Sequence, residues 1–528
     1  MKKTMSSLTA IILAVFLSAC GKGDNNGSGL NFDNVTAEIT GTVKDQNGKP
    51  LSGILMSDGF TQVRTGKDGK YRIPSRNREA FYIYYSIPAD AVIDVNKAGR
   101  PDFFQRLSLS KTVYDFTIKK QEVENDVRLL FIGDPQVRPS NNGLERFGSE
   151  TVPDIKQFVE SKGGDIPTYA FCMGDMVHNT WDQFPELFAL LSKEKLGVPC
   201  FSVIGNHDHE FNDIDNPIPD IKGQHKYEAV AGPVNYSLER GGVHIVVMDD
   251  IIHQGYSESS LSVGLTDDLQ AFLEEDLRTV DRNKTLLLAV HGYLDPTEEN
   301  DRIWALLKEF KEARIIAGHS HSVRNHIEYT DDGRIIHGNV VGTANGVDWA
   351  ATVCGDGAPM GYAVMELKNG SVKNHYYKPT CIDPAFQIRL YRTSDFPAFK
   401  RVLAGSRGIT VNCSFVKYGS DIIAANIWNY DPLWKLEVYE DGVLKGAPTK
   451  NDDMYDVWAC KYFYEQKNRS TTSFCQRRMH LFWYKMSSPG ANVKFVARDE
   501  YGNVYEQSYI TSNEEKDWPD NYINKRYL

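Results

Sequence analysis

The sequence predicts an α/β protein, a layered sheet core with helices outside, set between two β-rich segments. Three observations carry this. Six short, largely apolar runs alternate with helical patterns in the middle of the chain (129–132, 170–173, 201–204, 244–248, 286–290 and 314–317); strands covered on both faces have this composition. Short polar blocks follow most of these runs, placing side chains of metal-ligand type where strand gives way to loop. The flanking regions carry short β-like stretches broken by Gly turns.

The chain starts with Lys2 and Lys3, an apolar stretch over 8–17 and then Leu17-Ser18-Ala19-Cys20. This is too short to span a bilayer and reads as a cleaved signal over 1–20. It resembles a bacterial lipoprotein signal, which implies that Cys20 is acylated and that a lipid anchor holds the mature chain at the cell envelope, on the periplasmic or cell-surface face of the outer membrane. Residues 21–35, rich in Gly and Asn, read as a flexible tether. No later segment is apolar for long enough to predict a transmembrane helix.

Residues 36–122 read as an N-terminal β-sandwich. Asn47-Gly48 and Asp68-Gly69 sit between alternating apolar stretches, where such pairs signal hairpins. The stretch from Ile39 to Tyr71 resembles a carboxypeptidase regulatory-like module.

In the core, Thr266 precedes a helical pattern carrying Leu269, Phe272, Leu273 and Leu277, and another pattern carries Ile303, Trp304, Leu306, Leu307 and Phe310. The polar blocks are Gly133-Asp134-Pro135-Gln136, Gly174-Asp175, Gly205-Asn206-His207-Asp208, His291 and Gly318-His319-Ser320-His321. Ligands converge at such strand ends in α/β sheets. Oxygens from Asp134, Asp175 and Asn206 mixed with nitrogens from His291, His319 and His321 suit manganese, iron or zinc better than calcium. The expected outcome is a two-metal hydrolytic centre in which Asp175 is shared.

These ordered blocks resemble the calcineurin-like metallophosphoesterase superfamily over residues 127–345. The resemblance implies a four-layered α/β/β/α core, assigned to 127–378, and hydrolysis of phosphate esters by a hydroxide bridging two divalent transition-metal ions. It implies that Asp134, Gln136, Asp175 and His321 hold one ion, and that Asp175, Asn206, His291 and His319 hold the other. His207 would contact the phosphate and donate a proton to the leaving group, oriented by Asp208. Gln136 departs from the commoner Asp-x-His pattern, and its neutral amide oxygen bears on which metal is preferred. His178 and Asn179, close behind Asp175, are candidates for substrate contact, as are Trp349 and Asp356 in the Gly-rich stretch 346–362, which resembles one found in a three-domain branch of the superfamily. Asp249 reads as structural, and His209, Glu210 and Asp213 as solvated loop charges. Phosphomonoesters are favoured over phosphodiesters. A noncatalytic binding lipoprotein is disfavoured by the intact Asn206, His207, His319 and His321.

Residues 379–528 read as a second β-rich domain, with strands over 415–418, 436–439, 481–484 and 493–497. Its Trp428, Trp434, Trp458 and Trp483 read as core aromatics before sugar- or base-stacking ones. Cys172 and Cys200 read as small core residues, while Cys381, Cys413, Cys460 and Cys475 are open to disulfide pairing in an oxidising compartment. A length of 528 residues calls for two or three domains. A net charge of −11 speaks against nonspecific nucleic-acid binding.

Overall fold

A computed structural model of the chain describes residues 37–75, 80–164, 166–346, 351–392, 400–402, 410–412, 421–451, 455–456, 459 and 480–509. All six apolar runs are strands, divided between two central sheets. One sheet has the order Cys200–Val203, Thr168–Met173, Asp126–Ile132, Gly361–Lys368, Ser371–Pro379, its first three strands parallel. The other runs Tyr236–Arg240, Val243–Val247, Thr285–Ala289, Glu312–Ala317, Ile335–Val340, Arg324–Tyr329, with the middle four parallel.

Strand alternation explains why the runs are apolar throughout. Leu129, Phe131, Phe171, Ile245, Leu287 and Ile316 point into one core between the sheets. Their neighbours point outward. On the first sheet, Leu130, Ile132, Ala170 and the buried Cys172 meet Ile155 and Phe158 of the helix Val152–Ser161, and Leu187 of Phe184–Leu190. On the second, Val246, Leu286, Leu288 and Ile315 meet the helices Asp267–Leu277 and Asp301–Glu309. The result is the α/β/β/α layering that the resemblance implied. Thr266 caps the first of these two helices, its side chain accepting from the Leu269 N–H.

The N-terminal segment is a sandwich of a three-stranded sheet (Lys70–Ile73, Ile39–Asp45, Phe116–Ile118) and a four-stranded one (Gln62–Arg64, Leu55–Ser57, Tyr82–Tyr85, Phe104–Arg106). Asn47-Gly48 closes a hairpin-like turn. Asp68-Gly69 also closes a tight turn, yet the strands it joins belong to different sheets, so it is a corner and not a hairpin. The sandwich core continues without a break into the space between the central sheets, with Phe103 against Tyr236 and Phe201. The buried Arg240 fastens this contact by donating to the carbonyls of Pro88 (2.9 Å) and Ala91 (2.6 Å).

The C-terminal segment packs Ile388–Arg392, Ile422–Ile427, Leu481–Lys485 and Thr449–Lys450 against Val443–Gly446, Lys435–Glu440, Val493–Arg498 and Val504–Tyr509. Trp428 and Trp434 are buried in cores rather than offered to a ligand. The strand expected over 415–418, together with Trp458, Cys413, Cys460 and Cys475, lies outside the described residues. Among the described residues, no helix is long and apolar enough to cross a membrane.

One buried cluster joins the N-terminal domain to the core and makes stability depend on pH. His244 bonds Glu239 through Nδ1 (2.8 Å) and Asp276 through Nε2 (2.6 Å), and Asp276 also accepts from Ser237, which meets Ser86 of the sandwich. Burial opposes charge on the imidazole, but Asp276 and Glu239 outweigh it and raise its pKa from 6.5 to about 9. A histidine raised on folding stabilises fully below its ordinary value and loses that contribution as pH climbs through the folded one. We predict that the melting temperature falls as pH rises from 6.5 through about 9, and that His244→Gln flattens this dependence. Melting curves of both proteins across that window test it.

Candidate metal centre

Every polar block sits at the carboxyl end of a parallel strand, and the facing sheets bring these ends to one rim. Asp134 and Gln136 follow Asp126–Ile132, and Asp175 follows Thr168–Met173. The turn Asn206–Asp208 follows Cys200–Val203, His291 follows Thr285–Ala289, and His319 and His321 follow Glu312–Ala317. Five of these residues have left-handed backbone: φ is 39° at Asp134 and Gln136, 49° at Asp175, 64° at His319 and 52° at His321. Such conformations cost about 1–3 kcal/mol each in non-glycine residues and gather at functional sites. Here they swing each side chain inward immediately after its strand ends.

The glycines of the blocks provide space. A Cβ on Gly205 would lie 2.4 Å from Asp175 Oδ1, and one on Gly318 would lie 2.7 Å from Asp134 Oδ2. No other residue fits there without displacing a carboxylate.

His291 donates from Nδ1 to the Met173 carbonyl (2.7 Å), which turns Nε2 toward Asn206 Oδ1 (3.1 Å), His319 Nδ1 (3.2 Å) and Asp175 Oδ1 (3.3 Å). Nearly all these atoms carry lone pairs, and a single hydrogen on Nε2 serves only one of them. Beside this set, Asp134, Asp175 and His321 form another, with His321 Nε2 at 3.6 Å from Asp134 Oδ1. Each set offers three donor atoms within 4.8 Å of one another, and Asp175 belongs to both. Gln136 closes the second set, donating through Nε2 to Asp175 Oδ2 (3.1 Å), while its Oε1 is buried without a hydrogen-bond partner. Converging acceptors, an orphaned amide oxygen and a shared carboxylate fit two adjacent cations.

The titration behaviour of these groups reflects the same crowding. Burial pushes Asp175 upward, but the charges of His291 and His207 outweigh it and hold the carboxyl far below its usual range. Burial raises Asp134 well above 3.8. His291 is held up at about 10 because Asp175 and Asp134 outweigh its burial, so a proton there takes the place of a metal's charge. His319 and His321 are pushed down, to about 3 and about 4, first by burial and then by neighbouring imidazoles.

Two expectations require correction. Asp208 does not orient His207. Its buried carboxylate accepts from the backbone N–H groups of Met176 (2.8 Å), Val177 (3.2 Å) and Gly205 (2.9 Å), locking the Asp175 loop to the Asn206 turn. The His207 imidazole turns instead to Asn179, with Nδ1 at 2.8 Å from Oδ1, and Asn179 Nδ2 donates to Glu258 at 2.8 Å. Because the amide nitrogen is committed to a carboxylate, its oxygen must face the imidazole, so Nδ1 of His207 carries the hydrogen. The His178 ring packs against His207 at a tilt of 35°, with ring centroids 4.5 Å apart. Both candidates behind Asp175 therefore lie at the site. Asp356 is the second correction. Its buried carboxylate accepts from the N–H groups of Val323 (2.6 Å) and Ala358 (2.9 Å) and meets His480 (3.2 Å), which leaves it no part in holding substrate. Trp349 and Cys20 lie outside the described residues.

The structure gives other residues roles that the sequence does not. His209 is not a solvated loop charge. It is fully buried between the Gly205 carbonyl and Asp249. Asp249 is structural, accepting also from Gln224 (2.6 Å). Asp250 has no role assigned from sequence, yet its Oδ1 accepts from the backbone of His291 (2.8 Å) and Gly292 (3.1 Å) and fixes that loop. Glu258 lies 79 positions from Asn179, and no local signal connects them.

Asn179→Ala is expected to lower kcat about tenfold or more with metal content preserved, because His207 loses its orientation. Asp208→Ala should instead empty the metal centre, since three buried N–H groups lose their acceptor. Metal content measured beside kcat separates the two.

Three family models match in succession: "N terminal of Calcineurin-like phosphoesterase" over 37–121, "Calcineurin-like phosphoesterase" over 127–323 and "C terminal of Calcineurin-like phosphoesterase" over 339–505. A search of curated proteins finds no significant match. Among solved structures, the chain is similar to a purple acid phosphatase from yellow lupin, Lupinus luteus (16% identity, 62% of this chain and 67% of that one, TM-score 0.33). It is also similar to a 5'-nucleotidase from Candida albicans (12%, 45% and 48%, TM-score 0.27) and to Vps29 from Chaetomium thermophilum (16%, 46% and 86%, TM-score 0.22). All three are distant. With its ligand-bearing core and both flanking modules matched in order, the chain belongs to the calcineurin-like phosphoesterase superfamily, as a metal-dependent phosphohydrolase with additional N- and C-terminal domains.

Proposed function

We propose that this chain is a lipid-anchored phosphatase of the bacterial envelope that hydrolyses phosphomonoesters at a two-cation centre. The observation that carries the catalytic part is the pair of donor sets sharing Asp175. Asp134, Gln136, Asp175 and His321 would hold one manganese, iron or zinc ion, and Asp175, Asn206, His291 and His319 the other. Two such ions supply Lewis acidity, lowering the pKa of water and neutralising charge on the phosphate.

The protein's own groups do the rest. Asp175 accepts from the His207 backbone N–H at 2.9 Å, which keeps the imidazole beside the shared carboxylate. With Nδ1 committed to Asn179, Nε2 is the atom through which His207 exchanges a proton with the leaving oxygen. Arg138 lies near enough for its charge to act on His178, whose imidazole burial, His207 and Arg138 push down to about 4, so the fixed positive charge at the rim beside His207 is the Arg138 guanidinium. That guanidinium favours the doubly charged monoester over the singly charged diester, which supports the monoesterase reading.

With manganese, the protein should turn over p-nitrophenyl phosphate faster than its bis-ester, and a metal-stripped sample should lose activity. The reverse preference would make it a phosphodiesterase, and full activity without metal would overturn the mechanism. His207→Ala should keep its metals and lower kcat roughly 10²–10⁴-fold, most for poor leaving groups.

The envelope address rests on the basic, apolar and Cys20-terminated start of the sequence. Wild-type protein should partition with membranes and carry lipid, and Cys20→Ser should lose the lipid or remain unprocessed. Fractionation with mass measurement checks this, and a lipid-free mature wild type would refute the anchor.

A further inference from the structure

The seam between the catalytic core and the C-terminal domain holds another imidazole–carboxylate set. His337 lies on Ile335–Val340 of the second central sheet. Asp431 precedes Lys435–Glu440, and Glu500 sits in the turn between Val493–Arg498 and Val504–Tyr509. His337 Nδ1 is 4.0 Å from Asp431 Oδ2 and 3.9 Å from Glu500 Oε1, and the three donor atoms lie within 4.8 Å of one another. His337 is 5% exposed and Asp431 4%, and Nδ1 of His337 is buried without a hydrogen-bond partner.

These separations are too long for hydrogen bonds. An imidazole nitrogen buried without a partner costs free energy that native structures seldom accept. The nearby cation does not fill the gap. Arg314 directs Nε to Glu312 (3.2 Å) and Nη2 to the Tyr501 hydroxyl (3.0 Å). Three carboxylates, Glu312, Asp431 and Glu500, therefore share one guanidinium.

We propose that His337, Asp431 and Glu500 bind a further divalent cation, which staples the C-terminal domain to the catalytic core. One imidazole with two carboxylates is a donor set for zinc or manganese. Bonds to such ions run about 2.0–2.2 Å, so two ligands of one ion stand at most about 4.3 Å apart, and the distances from His337 fall inside that limit. The Glu500 side chain is 25% exposed, which leaves an entry path and room for water in the remaining positions. Because the ligands come from two domains, ion binding and domain docking are coupled, and each strengthens the other. The proposal is independent of the phosphatase reading.

The test uses full-length Asp175→Ala protein, in which the catalytic donors have lost their shared carboxylate, stripped with chelator and then equilibrated with zinc. It should retain one more equivalent of zinc than the Asp175→Ala/Glu500→Gln double variant, by elemental analysis. Zinc should raise its melting temperature by several degrees, a rise that the double variant lacks. His337→Gln in the same background should repeat the loss. Equal zinc content, or an equal zinc-dependent melting shift, in the Asp175→Ala protein and both double variants would overturn the proposal.

Discussion

The rim of the two sheets is organised around one unsatisfied electrostatic demand. Nε2 of His291, Oδ1 of Asn206, Nδ1 of His319 and Oδ1 of Asp175 point at one another in a largely buried space with too few hydrogens to share. In a low dielectric, such a cluster repels itself unless a positive charge is added. A proton on His291 meets part of the demand, and two metal ions would meet all of it. The left-handed residues, the close glycine approaches and the backbone clasp of Asp208 make sense only as means of holding this arrangement together against that repulsion.

Strain of this kind persists only when the surroundings over-determine it, and here both added domains contribute. From the C-terminal side, His480 bonds Asp356, which accepts from the Val323 N–H, and the adjoining Gly355 N–H donates to the His321 carbonyl (3.1 Å). The loop carrying His321 is thus tied to a residue more than 150 positions later. From the N-terminal side, the Tyr84 hydroxyl bonds the Asn235 carbonyl, whose side chain accepts from the Asp249 N–H (2.9 Å); the neighbouring Asp250 holds the backbone of His291. Each added domain thus braces a different loop of the centre.

Much of this was legible in the sequence because it is local. A strand buried on both faces must be apolar along its length, and a side chain placed just after it must lie at the rim, so the six runs and five blocks located the core and brought the expected donors together. What failed was inference from adjacency along the chain. Asp208 follows His207 directly, yet in a tight turn consecutive side chains diverge, and the partner of His207 comes from the loop after Asp175. His209 was misread because loop charges are usually solvated, whereas this one is enclosed by the helix Asp220–Gly223 and by Asp249. Asn179, Glu258 and Asp250 are single polar residues whose meaning exists only in three dimensions.

The same reasoning distinguishes polar clusters that complete themselves from those that need an ion. His244 is enclosed by Glu239 and Asp276 at 2.8 and 2.6 Å, one hydrogen for each contact, and its raised pKa balances the charge. Nothing is missing there, and the cluster is structural. At the metal centre three acceptor atoms crowd Nε2 of His291 at 3.1 to 3.3 Å, more than its single hydrogen can serve, with an amide oxygen left over. At the domain seam they stand near 4 Å apart, with an imidazole held neutral and its nitrogen unmatched. Buried histidines and carboxylates with a hydrogen for each close contact have found their protons. Those that converge with more acceptors than hydrogens, or without reaching one another, leave space for a cation, and the folding of three domains around one rim has produced both kinds.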